Sequence, residues 1–239
     1  MKYIDLTLST PAENLACDEA LLEFCEEGRE GEILRFWEPR EPFVVVGYAN
    51  QAGLEANLDA CNSLHVPVLR RCSGGGTVLQ GSGCLNYSLI LRIQEDSPLH
   101  TITRTNTFVM ERQKDALSTL VDIPITIQGH TDLALKNLKF SGNAQRRKRK
   151  CLIFHGTFLL QFDFSLVERV LRMPSKQPDY RQNRPHTDFL TNLNVEANSV
   201  KEALRKAWSA NELLNHWPKQ ETADLSRVKY STREWNLKF

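Results

Sequence analysis

Apolar positions recur along the chain with two periods, and the places where the period changes divide it into elements. The first element is helical: Leu15, Leu22 and Cys25 share one face of a segment that opens at Thr10-Pro11-Ala12-Glu13. Thr10 can cap the first turn, Pro11 stands where a helix has no use for an amide, and Glu13 can reach back to complete a capping box. This predicts a helix to about Glu27, ended by Gly28 and Gly31. Ile33 to Trp37 and Phe43 to Tyr48 read as strands on either side of a Pro39/Pro42 turn. The run Phe43-Val44-Val45-Val46 has no polar face, so it predicts a strand buried on both sides.

A short helix over Leu54 to Ser63, a strand over Val66 to Arg71, a glycine loop at Ser73 to Gly76 and a strand over Leu85 to Arg92 follow. Helical spacing returns through Phe108, Met110, Leu117 and Leu120 within Thr103 to Leu120, and alternation returns from Ile123 to Gln128. Lys139 to Gln145 and Leu152 to Leu160 predict a hairpin around a basic turn. Met173 to Pro185, rich in Pro, Gln, Asn and Asp, predicts an extended surface loop, and Lys201 to Leu214 a further helix. Strands and helices intersperse without βαβ spacing. The expected fold class is therefore α+β, a mixed and largely antiparallel sheet flanked by helices, not a doubly wound one.

Composition narrows the function classes. The chain has 239 residues, 41% hydrophobic and 25% charged, which suits one domain with a real core and excludes disordered or collagen-like chains. Lys plus Arg is 30 against 29 for Asp plus Glu, so no global field draws the chain to nucleic acid or anionic lipid. No apolar run approaches the ~18 residues of a membrane helix, and Asp5 interrupts what would be a secretory leader. A soluble, cytoplasmic protein is expected. The six cysteines form no C-x-x-C pair and no zinc spacing, so reduced thiols and no structural metal are expected.

Three segments carry chemistry. In Arg70-Arg71-Cys72-Ser73-Gly74-Gly75-Gly76-Thr77-Val78, successive glycines after a strand let backbone amides close around an anion, and two arginines add charge-assisted donors. The pattern suits a phosphate, yet it is neither a Walker loop nor a dinucleotide fingerprint. A glycine-rich hairpin with solvated arginines is the other reading. In Leu138-Lys139-Phe140-Ser141-Gly142-Asn143-Ala144-Gln145, a lysine precedes small residues that keep its surroundings open. Its ammonium could screen a carboxylate from a phosphate, or simply face water. In Phe154-His155-Gly156-Thr157, a histidine in an apolar strand is either a satisfied core residue or an acid/base.

In this order and spacing, the segments resemble the biotin/lipoate protein ligase superfamily, most closely the catalytic domain of its lipoate-protein ligase branch. The similarity also takes in Asn14 to Leu22, Phe36-Trp37 to Gly47, Gly83 to Ser88, and Lys229-Tyr230 to Trp235-Asn236, nearly the whole chain. The resemblance implies a fold like that shared by biotin ligases and class II aminoacyl-tRNA synthetases. It also implies a reaction: lipoate or octanoate is activated by ATP with magnesium to an acyl-adenylate, then passed to a lysine of a carrier domain, with no permanently bound cofactor. Lys139 is then expected to contact the acyl carbonyl and the phosphate. Arg70, Gly74, Gly75 and Gly76 are expected to border the acyl or phosphate pocket, with Thr77 and Val78 beside the adenylate. Ser73, Ser141, Gly142, Ala144, His155, Gly156 and Thr157 complete the expected substrate and adenylate set. Asp132, in Gly129-His130-Thr131-Asp132-Leu133, is expected near magnesium or the adenylate. An apolar tunnel for the acyl tail is expected along Phe43 to Gly47, with Gly47 leaving space.

The chain stops just after Trp235-Asn236, where many lipoate ligases continue into an accessory domain. A single catalytic domain over residues 1–239 without that domain is expected, with a separate polypeptide, self-sufficiency or bare acyl transfer as the ways to function. Related octanoyltransferases use a cysteine thioester and no ATP. A thiolate beside arginine would have a depressed pKa, which makes Cys72 and Cys151 the candidates for that alternative. A second alternative is a non-catalytic acyl- or nucleic-acid-binding module, suggested by the cationic run Arg146 to Lys150. That run falls at the expected hairpin turn, where solvated charge belongs, so neither nucleic acid nor membrane is an expected partner. The expected partner is a small acidic lipoyl carrier domain or a glycine-cleavage H-like protein, which the basic turn could steer.

Overall fold

The computed structural model describes residues 1–239. In chain order the elements are β1 (Lys2–Asp5), α1 (Pro11–Glu26), β2 (Ile33–Trp37), β3 (Phe43–Val46), α2 (Ala52–Glu55), α3 (Leu58–Ser63), β4 (Val68–Arg70), β5 (Val78–Gln80) and β6 (Cys84–Arg92). They continue with α4 (Ile102–Ser118), β7 (Ile125–Gln128), β8 (Asp132–Leu135), β9 (Leu138–Arg147), β10 (Cys151–Leu159), α5 (Val167–Val170), α6 (His186–Phe189), α7 (Ala197–Ala207), β11 (Glu212–Leu213), α8 (Lys219–Leu225) and α9 (Arg233–Asn236). Eight strands form one sheet in the order β11-β1-β2-β6-β10-β9-β8-β7, parallel around β1 and antiparallel elsewhere, and β4-β3-β5 form a second, smaller sheet. This is the mixed, largely antiparallel α+β architecture that the pattern predicts.

Helix α1 starts as its residues require. Thr10 Oγ1 accepts from the Glu13 amide at 3.2 Å, and the Glu13 carboxylate accepts from the Thr10 amide at 2.9 Å. Polar Asn14, Asp18 and Glu19 are buried along with Leu15, Ala16 and Leu21, because the helix lies between the large sheet and the C-terminal helices. Such a helix has no solvent side to advertise. The opposite face of the large sheet, with Leu34, Phe36, Leu89, Phe154 and Phe158, packs under α4 and α7 as the main core. Strand β3 is buried on both faces as expected, Val44 and Val46 in one cluster and Phe43 and Val45 in another.

The differences from expectation are at edges and ends. Strands β1, β8 and β11 are too short to show alternation and are set by pairing. The expected helix over Leu54 to Ser63 is two helices, broken where Asn57 leaves the first and caps the second through its side chain. The expected helix over Lys201 to Leu214 runs instead over Ala197–Ala207, since Leu213 pairs with Tyr3 as strand. The Met173 to Pro185 loop contains a single 3-10 turn. The basic run is not uniformly solvated. Arg147 donates to the carbonyls of Leu99 (2.7 Å) and His100 (3.0 Å), Arg146 donates to that of Cys72 at 2.9 Å, and Lys148 pairs with Glu23; Arg149 and Lys150 are exposed. No helix is long and apolar enough to cross a membrane.

Candidate active site

Two rows of side chains cross the large sheet on the face toward α1, and strand register alone defines them. Arg35, Ser88, His155 and Ala144 stand side by side on β2, β6, β10 and β9. In the next row are Trp37, Asn86, Thr157, Gly142 and Asp132. The small members of both rows leave a trough over β9 and β10.

Lys139 reaches this face because of a bulge. Leu133 pairs with Ser141 but Ala134 pairs with Lys139, so Phe140 is one residue too many on β9. Phe140 and Ser141 then both turn to the core side, and Lys139 shares a face with Gly142 and Asp132. The Lys139 ammonium lies 2.8 Å from Asp132 Oδ1, both side chains mostly shielded. Gly142 makes room for it, since a Cβ there would stand 2.7 Å from Nζ. Tyr180 of the loop before α6 donates to Asp132 Oδ2 at 2.8 Å. Both oxygens of Asp132 are therefore engaged, and no cluster of three or more His, Cys, Asp or Glu side chains surrounds it. A single carboxylate is the kind of oxygen donor that a magnesium ion shared with a nucleotide's phosphates would use.

The glycine loop folds over the same trough. Gly47 has no Cβ because the carbonyl oxygen of Gly75 would be 2.0 Å from it, and Gly75 takes a φ of +87°, which favours glycine. A Cβ on Gly75 would lie 3.5 Å from that of Ala144, while Gly74 and Gly76 face open space. The space at Gly47 is thus taken by the loop and Phe43–Val46 are packed in cores, so β3 lines no acyl tunnel of the expected kind. The two arginines do different work. Arg70 is fully buried and points away from the trough: it donates to the carbonyls of Gly47 (2.8 Å), Tyr48 (3.1 Å), Asn50 (2.7 Å) and Trp235 (3.2 Å). It is an anchor for the turn after β3 and the C-terminal helix, not a pocket wall. Arg71 gathers the loop, donating to Ser73 Oγ at 3.1 Å, to the Gly76 carbonyl at 2.8 Å and to the Gly74 carbonyl.

Ser73 faces His155, with Oγ 2.5 Å from Nε2; His155 Nδ1 is 3.4 Å from Asp18 Oδ2, and Arg35 donates to Asp18 Oδ1 at 2.6 Å. Burial alone would push the Asp18 carboxyl up, but the Arg35 guanidinium and the His155 ring hold it below the usual range. Thr157 closes a ring with Gln80 and Asn86 that ties β5 to the large sheet.

Several expected site residues are elsewhere. Ser141 and Gly156 face away from the trough. Gly156 leaves room for Asn143, whose Oδ1 would be 1.7 Å from a Cβ there, and Asn143 donates to the Thr131 carbonyl at 2.6 Å, holding the turn before Asp132. Val78 lies in β5 opposite Val45, and Thr77 Oγ1 is buried without a partner. The cysteines are free thiols, and their surroundings are the reverse of what the thioester alternative needs. All six are buried, and burial raises every thiol, Cys72 to about 12 in spite of Arg146. Cys151 sits in the core under α1 with Cys25 and Ile153. Neither is a thiolate beside arginine. Asp18, Arg35, Asn143 and Tyr180 escaped the sequence reading. A lone arginine inside Ile-Leu-Arg-Phe-Trp was the one available signal, because a charge in a buried strand needs a buried partner.

A family model described as the lipoyl protein ligase A/B catalytic domain matches residues 10–212. The chain is 26% identical, over 99% of its length and 98% of the relative's, to a protein of Geobacillus kaustophilus named octanoyltransferase LipM. It is 25% identical, over 97% of its length and 95% of the relative's, to lipoate-protein ligase A subunit 1 of Thermoplasma acidophilum. A crystal structure of lipoate-protein ligase A bound with ATP superposes with a TM-score of 0.83 at 24% identity, covering 99% of each chain.

Proposed function

The chain belongs to the lipoyl protein ligase A/B catalytic-domain family, and from that premise we propose that it is a lipoate-protein ligase, forming an acyl-adenylate from ATP and lipoate or octanoate and passing the acyl group to a lysine of a lipoyl carrier domain. The observation that carries this reading is the position of Lys139. A bulge turns its ammonium into the trough beside Asp132, and Gly142, which makes room for it, is two residues along β9 from the Ala144 that underlies the glycine loop. Two residues of strand span about 7 Å, the size of an acyl-phosphate group and its contacts. A shielded cation at that distance from bare peptide groups suits a reaction in which a carboxylate must approach a phosphoryl group and the product is a mixed anhydride. Lys139 binds and screens the anions; the loop orients them. Magnesium enters as part of the nucleotide substrate.

The choice of adenylate over thioester rests on the cysteines. A thioester route needs a reachable thiolate, and this chain's six thiols are buried and raised. The name of the G. kaustophilus relative favours the other reading, an ATP-independent octanoyltransferase. The name of the T. acidophilum relative, a ligase subunit, brings a separate accessory polypeptide into the proposal.

Acyl transfer to a purified lipoyl domain tests it with two donors, synthetic lipoyl-adenylate and octanoyl-acyl carrier protein. The ligase reading expects transfer from the adenylate, reduced by about 10²-fold or more in Lys139→Ala. Transfer from the acyl carrier protein without ATP would establish the octanoyltransferase instead.

A further inference from the structure

We propose that Ser73, His155 and Asp18 form a proton relay that takes up the proton leaving the acceptor amine during acyl transfer, with Asp18, held by Arg35, as the positioning residue for His155. The inference rests on the acyl-transfer reading above and assigns a second half-reaction role to groups outside the Lys139 and Asp132 pair.

The hydrogen bonds joining these groups run in one direction. Arg35 can only donate, and its Nη1 engages Asp18 Oδ1 at 2.6 Å, while its Nη2 donates to Asn14 Oδ1 at 2.7 Å and the Leu6 carbonyl at 3.0 Å. The ionised Asp18 carboxylate accepts on its other oxygen as well, which requires the His155 proton to be on Nδ1. Nε2 is then a bare acceptor, so the Ser73 hydroxyl at 2.5 Å donates to it. At the far end Arg71 Nε, also an obligate donor, engages Ser73 Oγ at 3.1 Å. With an arginine at each end, a singly protonated ring beside the ionised Asp18 is held in this arrangement. Asp18 and Ser73 are closed off at 3% and 1% exposure, whereas the His155 side chain keeps 11% of its surface. The beneficiary of this construction is therefore a ring that meets the trough.

The amine nitrogen forms a bond to the acyl carbon, the bond from that carbon to the adenylate oxygen breaks, and AMP leaves with the electron pair. The amine enters beside the open edge of the His155 ring, and its N–H proton passes to Nε2 as the Ser73 hydroxyl, still held at Oγ by Arg71, turns its own proton away. The imidazolium, flanked by Asp18, returns its proton to water. Activation of a carboxylate by ATP releases no such proton, so the relay serves transfer.

The test uses the full chain, synthetic lipoyl-adenylate and a purified lipoyl domain, and compares the single-turnover transfer rate with the affinity for the adenylate. Asp18→Asn keeps an acceptor for Arg35 but offers an amide to His155, favouring the wrong tautomer. In a serine–histidine–aspartate triad that change lowers kcat about 10⁴-fold. Here the expected loss is at least about 100-fold in transfer with adenylate affinity within about threefold, and nitrogen NMR shows His155 shifting from the Nδ1–H to the Nε2–H form. His155→Gln, which leaves the Asp18 and Arg35 pair intact, provides a second variant if Asp18→Asn does not fold, with a similar loss expected. Transfer at the native rate in a folded variant, or a loss matched by equal weakening of adenylate binding, overturns the relay. Failure of the native chain to transfer from the adenylate overturns the ligase reading itself, and an Nε2–H tautomer in the native protein overturns the relay alone.

Discussion

At the scale of single residues, glycines decide where the charged groups can go. Gly47 holds nothing of its own, yet the Gly75 carbonyl would be 2.0 Å from a Cβ there, and the clash is with backbone that cannot rotate away. Gly47→Ala is expected to lift the glycine loop, cost about 1–3 kcal/mol in chemical denaturation, and reduce transfer. Thiols have the opposite status. Cys72→Ala and Cys151→Ala remove groups that do no chemistry in the ligase reading, so both are expected to keep transfer activity once folded, with losses confined to about 1–2 kcal/mol of packing. Abolished transfer in a folded Cys72→Ala protein would return the thioester to consideration.

At the scale of elements, helix ends and bulges matter more than the runs between them. The α1 capping box was legible in Thr10-Pro11-Ala12-Glu13 because capping is local chemistry, and Thr10→Ala is expected to cost about 1 kcal/mol in a thermal or denaturant melt. The β9 bulge was not legible. Nothing in Lys139-Phe140-Ser141-Gly142 reveals that β8 pairs with it out of step, yet that offset selects the face on which Lys139 appears. Helix α6 carries a pH-dependent contribution. Burial lowers the pKa of His186 from 6.5, and its neutral ring donates from Nε2 to the Arg172 carbonyl at 3.0 Å. The unfolded chain takes up this proton first as pH falls, so the stabilisation is present above about 6.5 and is lost below it. His186→Gln should flatten that part of the melting temperature against pH profile.

At the scale of the whole molecule, one buried arginine joins segments far apart in sequence. The Arg70 amide donates to Asn236 Oδ1 at 2.9 Å, its carbonyl accepts from Trp235 Nε1 at 2.8 Å, and its guanidinium closes the turn after β3. Arg70→Met is expected to strand several buried carbonyls at about 1–3 kcal/mol each, a loss of global stability and not of a substrate contact. From the chain alone, the α+β class, the doubly buried strand and the glycine loop were all determined, because periodicity, capping and glycine content are properties of neighbours in sequence. Only the tertiary structure decided that Arg70 is an anchor, that the cysteines are sealed, that Asp18 and Arg35 stand behind His155, and that Lys139 faces the trough. Those outcomes depend on strand register, layer packing and burial, which couple residues up to 211 positions apart and leave no imprint on the spacing of any one segment.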